Sequence, residues 1–406
     1  MNQPYAGASY AIAALKSGPP APTLAGMADD GSSPFRWWTA GDEAFAAAGR
    51  AILAATQSVR LEIYIYADSP LGRRVREELT AVARRGVAVR VMVDAVGSFE
   101  LADSFWRSLR EAGAEVRWFN PLSLRGFAIR NHRKLLICDG QSAFIGGFNI
   151  GEQWMGDGVH SGWRDLALCV EGPLVGELAA SFDDLFQRAD LPHELFCRLR
   201  RSRAKKSVAD HDWQLLLSGP GRGRNPFLTA LNRGLNDARR VQFITPYFLP
   251  PLRLRRRLMR VARCGGQVQL ILPAQSDIRL SRLAGQSLYR RLLKAGVEIY
   301  EYQPQILHTK LYLVDDTAYV GSANLDPRSL RINYELVVRF TRPALVNRAR
   351  ESFAETLAYC RRVELAPWCA ARSGWQRLQQ HWAHFILARL DPWVAGWQYR
   401  KLRQGS

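Results

Sequence analysis

The sequence predicts an α/β fold built as two copies of one unit. Three observations predict it. Period-two apolar stretches alternate with helical stretches along the chain. The order of these stretches starts again in the second half, with the punctuating glycines recurring at a shift of about 180 residues. One short pattern, His-x-Lys-x4-Asp, occurs once in each half, at His132-x-Lys134-x4-Asp139 and His308-x-Lys310-x4-Asp315. At 406 residues the chain is too long for one ordinary domain.

Residues 1–35 are rich in Ala, Gly, Pro and Ser without a period, and read as a flexible leader. The first half, 36–206, begins with the alternating run Val59-Leu61-Ile63-Ile65. A helix follows with Val75, Leu79 and Val82 on one face, stopped near Gly86. A strand Val87-Val89-Val91-Val93, a helix through Phe105 and Leu109 ending near Gly113, and a strand around Val116-Arg117-Trp118 complete the series. The second half, 207–365, repeats it. Strand Val241–Ile244 leads to a helix with Leu254, Leu258 and Val261, ending at Gly265-Gly266. Strand Val268-Leu270-Leu272, a helix through Leu288, Leu292 and Leu293, and strand Val297–Ile299 follow. Such alternation predicts mainly parallel sheets covered by helices, in two units related by a pseudo-two-fold axis. The arginines and lysines from Arg198 to Lys206 read as a solvated linker, with phosphate contact as the alternative.

The repeated pattern carries chemistry. On a strand, residues i and i+2 point to the same side, so His132 shares a face with Lys134, and His308 with Lys310. The apolar run after each lysine anchors the strand. If the halves dock with these segments facing, two imidazoles and two ammonium groups converge. Asn149 and Asn324, each in a Gly-x-x-Asn stretch, and Ser322 add donors. That pocket suits a phosphodiester and the extra charge of its pentacovalent transition state. No carboxylate cluster accompanies it, and the chemistry calls for no metal or other cofactor. One histidine attacks phosphorus while the other protonates the leaving alcohol. A nucleophilic imidazole needs an acceptor on its second nitrogen, and Asp165 and Glu335, one per half, are the candidates. Asp139 and Asp315 complete the motif, but strand parity puts them off the His/Lys face and gives them a structural role.

These segments match the HKD motif, and from about residue 36 to 365 the chain resembles the phospholipase D superfamily. The resemblance implies metal-independent transfer through a phosphohistidine, in one site shared between phospholipase D-like halves, with His132 as the nucleophile. One departure is present. Six residues separate Asp139 from Gly146, but five separate Asp315 from Gly321. The shorter turn should tighten that hairpin and bears on where Ser322 and Asn324 point. Within the superfamily the chain is most similar to the short bacterial cardiolipin synthases without transmembrane helices. The segments that carry this are Leu61–Asp68, Ile244–Pro251 and Gly321–Ser329. This resemblance implies a phosphatidyltransferase that joins two phosphatidylglycerols and releases glycerol.

Composition bears on partners. A formal net charge of +19 attracts anionic lipid, nucleic acid or phosphorylated substrates. No run of about 18 apolar residues is present. The short apolar segment Tyr10–Leu15 lacks the basic start of a secretory signal. The six cysteines, Cys138, Cys169, Cys197, Cys264, Cys360 and Cys369, are scattered without metal-ligand spacing and read as reduced thiols. The tail, 366–406, holds Trp368, Trp375, Trp382, Trp393 and Trp397 among arginines, a composition suited to the headgroup region of a bilayer or to packing on the core. The expected partner is an anionic phospholipid membrane with phosphatidylglycerol as substrate. The expected location is the inner membrane, peripheral on its cytoplasmic side. Two other readings stand beside it. One is a hydrolase of phospholipids or a nuclease from the same superfamily; the charge would fit the nuclease, but the Trp-rich tail and in-chain duplication argue against a nuclease. The other is a non-catalytic binding module, disfavoured because both copies keep His and Lys.

Overall fold

The computed structural model describes residues 35–121, 129–189, 205–221 and 223–390. The expected leader up to residue 34 lies outside them, as do Arg198, Arg200, Arg201 and Arg203 of the basic segment and Trp393 and Trp397 of the tail.

The first half runs β1 (Phe35–Trp38), α1 (Gly41–Ala54), β2 (Ser58–Ile63), α2 (Pro70–Arg84), β3 (Ala88–Asp94), α3 (Arg107–Glu111), β4 (Glu115–Phe119), β5 (Leu135–Cys138), β6 (Ser142–Gly146), β7 (Ala167–Glu171) and α4 (Pro173–Phe186). The second runs β8 (Lys206–Ala209), β9 (Trp213–Ser218), α5 (Pro226–Gly234), β10 (Arg240–Ile244), α6 (Leu252–Arg263), β11 (Gln267–Pro273), α7 (Arg279–Gln286), α8 (Tyr289–Leu293) and β12 (Glu298–Tyr302). It continues through β13 (Leu311–Val314), β14 (Thr317–Gly321), α9 (Pro327–Arg331), β15 (Glu335–Phe340), α10 (Pro343–Leu357), β16 (Cys360–Val363), α11 (Leu365–Ala370) and α12 (Gly374–Phe385).

The helices follow from their sequences. In α2, Ser69 caps the start by accepting from the Gly72 N–H, Pro70 occupies the first turn, and Leu71, Val75, Leu79 and Val82 are buried together. The chain leaves it through Gly86 at φ 90°, a conformation glycine adopts without steric cost. In α6, Leu254, Leu258 and Val261 are buried while the arginines face outward. The helix expected through Phe105 is instead a 3₁₀ turn, Asp103–Trp106, leading into the short α3.

The strands form two sheets with matching order. The first reads β1-β7-β6-β5-β2-β3-β4, and the second β16-β12-β11-β10-β13-β14-β15-β9-β8. Thus β5-β2-β3-β4 in one corresponds to β13-β10-β11-β12 in the other. The expectation of mainly parallel sheets is corrected. Among the described strands only β2–β3–β4 and β10–β11–β12 pair in parallel, and the other strand pairs are antiparallel. Apolar periodicity marks a strand without giving its direction. The motif strands β5 and β13 return as hairpins beside the parallel core, and that makes each sheet mixed.

One apolar core draws on both halves. Leu135, Ile137 and Ile145 of the first sheet and Leu311, Leu313 and Val320 of the second belong to one buried cluster with α4 and α10. The outer faces carry separate cores, under α1 and α2 in one half and under α5 and α6 in the other. Because the sheets share a core, the segments entering β5 and β13 are held against each other.

Candidate active site

His132 and Lys134 do not lie on β5 itself. They sit on the extended run that enters it, and His308 and Lys310 stand likewise before β13. What fixes these runs is pairing with the opposite half. Asn131 bridges Tyr334 in parallel, and Leu307 bridges Arg164. The His132 N–H donates to the Tyr334 carbonyl at 3.0 Å, and the His308 N–H to the Arg164 carbonyl at 2.7 Å. Each histidine therefore lies beside the residue that follows its partner, Glu335 for His132 and Asp165 for His308. Glu335 Oε2 is 3.1 Å from His132 Nδ1, and Asp165 Oδ2 is 2.5 Å from His308 Nδ1. The two acids were expected as one per half. Each serves the imidazole of the other half, a crossing that sequence spacing does not contain.

Both carboxylates are fully buried. With the acid on Nδ1, each ring carries its proton there and leaves Nε2 as the free base. Lys134 donates to the His132 carbonyl at 2.7 Å. The Lys310 ammonium lies 2.8 and 3.1 Å from the two ring nitrogens of His308 and donates to that residue's carbonyl. Aromatic rings wall the imidazoles. Tyr64 stands edge-on to His132 with centroids 4.8 Å apart, and Trp154 and Trp163 lie 5.6 and 5.5 Å from His308.

Charge shapes the site. Burial, against the opposing pull of Glu335 and aided by Lys134, pushes His132 down to about 4. Burial and the adjacent Lys310 lower His308 as well. Burial and the facing Lys310 bring Lys134 down to about 7, and burial brings Lys310 to about 8 although Asp165 and Glu335 oppose it. Burial would raise Glu335, but His132, Lys134 and Ser322 outweigh it and hold the carboxyl low. At neutral pH the site holds two neutral imidazoles, the anionic Glu335 and lysines near their titration point. An arriving phosphate would restore full charge to the ammonium groups.

Asn149 accepts from the Ile65 N–H at 3.0 Å, and its side-chain nitrogen is buried without a partner among the described residues. Asn324 likewise keeps one buried unpartnered atom, its carbonyl oxygen. Ser322, expected to bind phosphate, is placed elsewhere. Its hydroxyl donates to Glu335 Oε2 at 2.5 Å and accepts from the Leu336 N–H at 3.0 Å. The corresponding residue in the first half is Gly147. A Cβ built there would come within 2.1 Å of Asp165 Oδ1, so only glycine leaves room for that acid.

Asp139 and Asp315 lie in the hairpin turns after the motif strands, with φ of 53° and 44°. Asp139 accepts from the N–H groups of Thr56, Gln57 and Ser58, and Asp315 from those of Arg239 and Arg240. Both tie the hairpin to the start of the neighbouring strand, away from the histidines. The shorter second turn is absorbed within the turn. Cys138 pairs with Ser142 across three residues and Val314 with Thr317 across two, yet Gly146 and Gly321 reach equivalent places opposite Ala167 and Val337.

Sequence reasoning missed a buried network behind His132. Arg133 pairs with Glu62 at 2.9 Å, Asn131 donates to Glu62 at 2.7 Å, and the Asn131 N–H donates to Asp94 at 2.6 Å. The available signal was Glu62, an acid on the second face of the alternating strand Val59–Ile65. Among the described residues no group of His, Cys, Asp and Glu gathers as a metal site requires.

The family model described as cardiolipin synthase, PLD-like domain matches residues 49–189 and 231–357, one match per half, each containing its His/Lys pair. The chain is 33% identical over 339 residues to cardiolipin synthase 1 of Bacillus cereus, covering 80% of this chain and 67% of that protein. It is 35% identical over 312 residues to cardiolipin synthase 2 of the same organism, covering 74% of this chain and 60% of that protein. The chain thus spans 60% and 67% of the length of these two relatives. Among solved structures, phosphatidylserine synthase of Haemophilus influenzae shares the fold, with a TM-score of 0.73 at 13% identity over 90% of this chain and 95% of that one. The duplicated sheets, the paired His/Lys runs and these matches agree: the chain belongs to the family of cardiolipin synthase, PLD-like domains.

Proposed function

We propose that this protein transfers a phosphatidyl group from one phosphatidylglycerol to another, giving cardiolipin and glycerol. The observation that carries the reading is the crossed pairing of His132 with Glu335 and His308 with Asp165 beside two buried lysines. His132 is assigned as nucleophile. Glu335 divides its charge among His132, Ser322 and Asn333, which weakens its pull on the imidazole proton and favours the neutral base. His308, with Asp165 at 2.5 Å on Nδ1, is assigned as acid and base; neutral before substrate binds, it takes a proton from solvent at Nε2 as the anionic phosphodiester arrives. Nε2 of His132 attacks phosphorus, the P–O bond to glycerol breaks, and His308 gives its proton to the departing alkoxide. His308 then takes the proton of the second phosphatidylglycerol's hydroxyl, whose oxygen attacks phosphorus as the P–N bond breaks. Lys134, Lys310 and the side-chain nitrogens of Asn149 and Asn324 are assigned to donate to the phosphoryl oxygens in both steps.

The substrate is a membrane lipid and the chain carries a net charge of +19, so we place it on an anionic bilayer surface, at the cytoplasmic side of the inner membrane. Incubation with phosphatidylglycerol vesicles and lipid analysis test the reading. Cardiolipin with equimolar glycerol is expected. Phosphatidic acid alone would make it a hydrolase, and cleavage of DNA without lipid turnover would sink it.

A further inference from the structure

Helix α12 is mounted with its amphipathic faces reversed. Trp375, Leu378, Trp382 and Phe385 follow a spacing of three, four and three residues, which puts them on one stripe. That stripe faces outward, with the four side chains 66%, 46%, 58% and 49% exposed. The inward face buries Ala383 among polar groups. Gln380 is buried, accepts from Arg372 at 2.6 Å and donates to Gln286 of α7 at 3.4 Å, and His384 lies 3.0 Å from the Ser287 hydroxyl. The helix is locally well specified, since Ser373 and Gln376 form a capping box at its start. An ordinary surface helix would bury the tryptophans and expose the glutamines.

The surroundings say what fits this stripe. Helix α7, against which α12 packs, is preceded by Ile278 and carries Leu280 in its first turn, 47% and 36% exposed. Just before it, Asp277 accepts from Tyr247 at 2.6 Å and acts electrostatically on Lys310. Ile278 and Leu280 thus expose apolar surface at the end of α7 nearer the site. Helices α6, α7, α8 and α12 contain no Asp or Glu, and Arg255 of α6 and Arg291 of α8 both act on His384. Indole and phenyl rings set among acid-free, arginine-rich helices match an interface that is apolar inside and anionic at its surface. A cognate protein groove would satisfy the rings but not this uniform positive frame.

We infer that α12, with the start of α7, is the face by which the protein lies in an anionic phospholipid surface, its rings at headgroup depth and the site directed at the same leaflet. Naming phospholipid as the partner rests on the phosphatidyl-transfer reading.

The full chain is sedimented with vesicles of equal parts phosphatidylglycerol and phosphatidylcholine, beside the triple variant Trp375→Ser, Trp382→Ser, Phe385→Ser. The variant is expected to bind at least about tenfold more weakly and to turn over monomeric short-chain phosphatidylglycerol at the parent's rate. In the parent, brominated lipid should quench a fluorescence component that Trp382→Phe removes. Binding and quenching that match the parent's in these variants would overturn the inference. So would a parent that is dimeric in dilute solution and monomeric as the triple variant, which would make the face a contact between copies. Should the parent turn over no phosphatidylglycerol in any form, the functional reading falls, while vesicle binding still decides whether α12 is the docking face.

Discussion

Glu335 and Asp165 each lie beside the Nδ1 of a histidine from the other half, and the proposed chemistry rests on them. Each fixes the tautomer of an imidazole from across the domain interface. Replacing Glu335 by Gln keeps the shape but removes the charge that holds the proton on Nδ1. Turnover of phosphatidylglycerol should fall about 10²- to 10⁴-fold with little change in KM, and a rate within a few fold of the parent's would remove Glu335 from the mechanism. The lysines make a second prediction. Burial and Lys310 bring Lys134 down to about 7 in the folded protein, against about 10.4 unfolded. Between those values the unfolded chain holds a proton that the folded chain has released, so this group makes stability rise with pH across the window. Below pH 7 the buried charge costs most. Lys134→Met should therefore be more stable than the parent at pH 6, by roughly 1–4 kcal/mol, while losing most of its turnover. Urea unfolding and a lipid assay on the same sample read both. In the parent, KM should climb as pH passes from about 7 to about 8 and the lysines lose charge.

At the scale of elements, the third letter of the motif separates from the first two. Asp139 tethers the β5–β6 turn to the start of β2 through three backbone N–H groups and the Thr56 hydroxyl. Burial alone would raise its pKa, but these donors hold it below the usual carboxylate range. Asp139→Ala should cost about 1–3 kcal/mol of stability and leave kcat of the folded fraction within a few fold of the parent's. A kcat loss comparable to that of Glu335→Gln would return Asp139 to the reacting centre. The hairpins also show how far spacing could be read. The missing residue after Asp315 was visible in the sequence. That the turn absorbs it, leaving Gly321 opposite Val337 in register, depends on strand pairing. The direction of Ser322 meets the same limit. Its position in the motif was legible, but its hydroxyl direction is set by Glu335, which only β14–β15 pairing brings near.

For the whole molecule, one chain carries one site. The His132→Ala and His308→Ala variants should each lose at least about 10³-fold in turnover, and mixing them should restore nothing, because each chain lacks one of the two imidazoles. Recovery on mixing would show that sites form between chains. The shared core predicts that the halves do not work apart. Leu135 and Leu311, each next to a motif lysine, are buried in one cluster spanning both sheets, so the motifs keep their distance only while the halves are packed.

The sequence by itself determined the duplication, the α/β class, the two His/Lys pairs and the acids that serve them, because each is written in local periodicity or in repeated spacing. Strand direction, the crossing of Glu335 and Asp165 to opposite histidines, and the outward face of α12 were decided by tertiary structure alone. Pattern along a chain records which residues share a face of one element. Which face meets which neighbour is settled only when the two sheets bury their common apolar surface and the backbone runs at Asn131 and Leu307 find their partners in the other half.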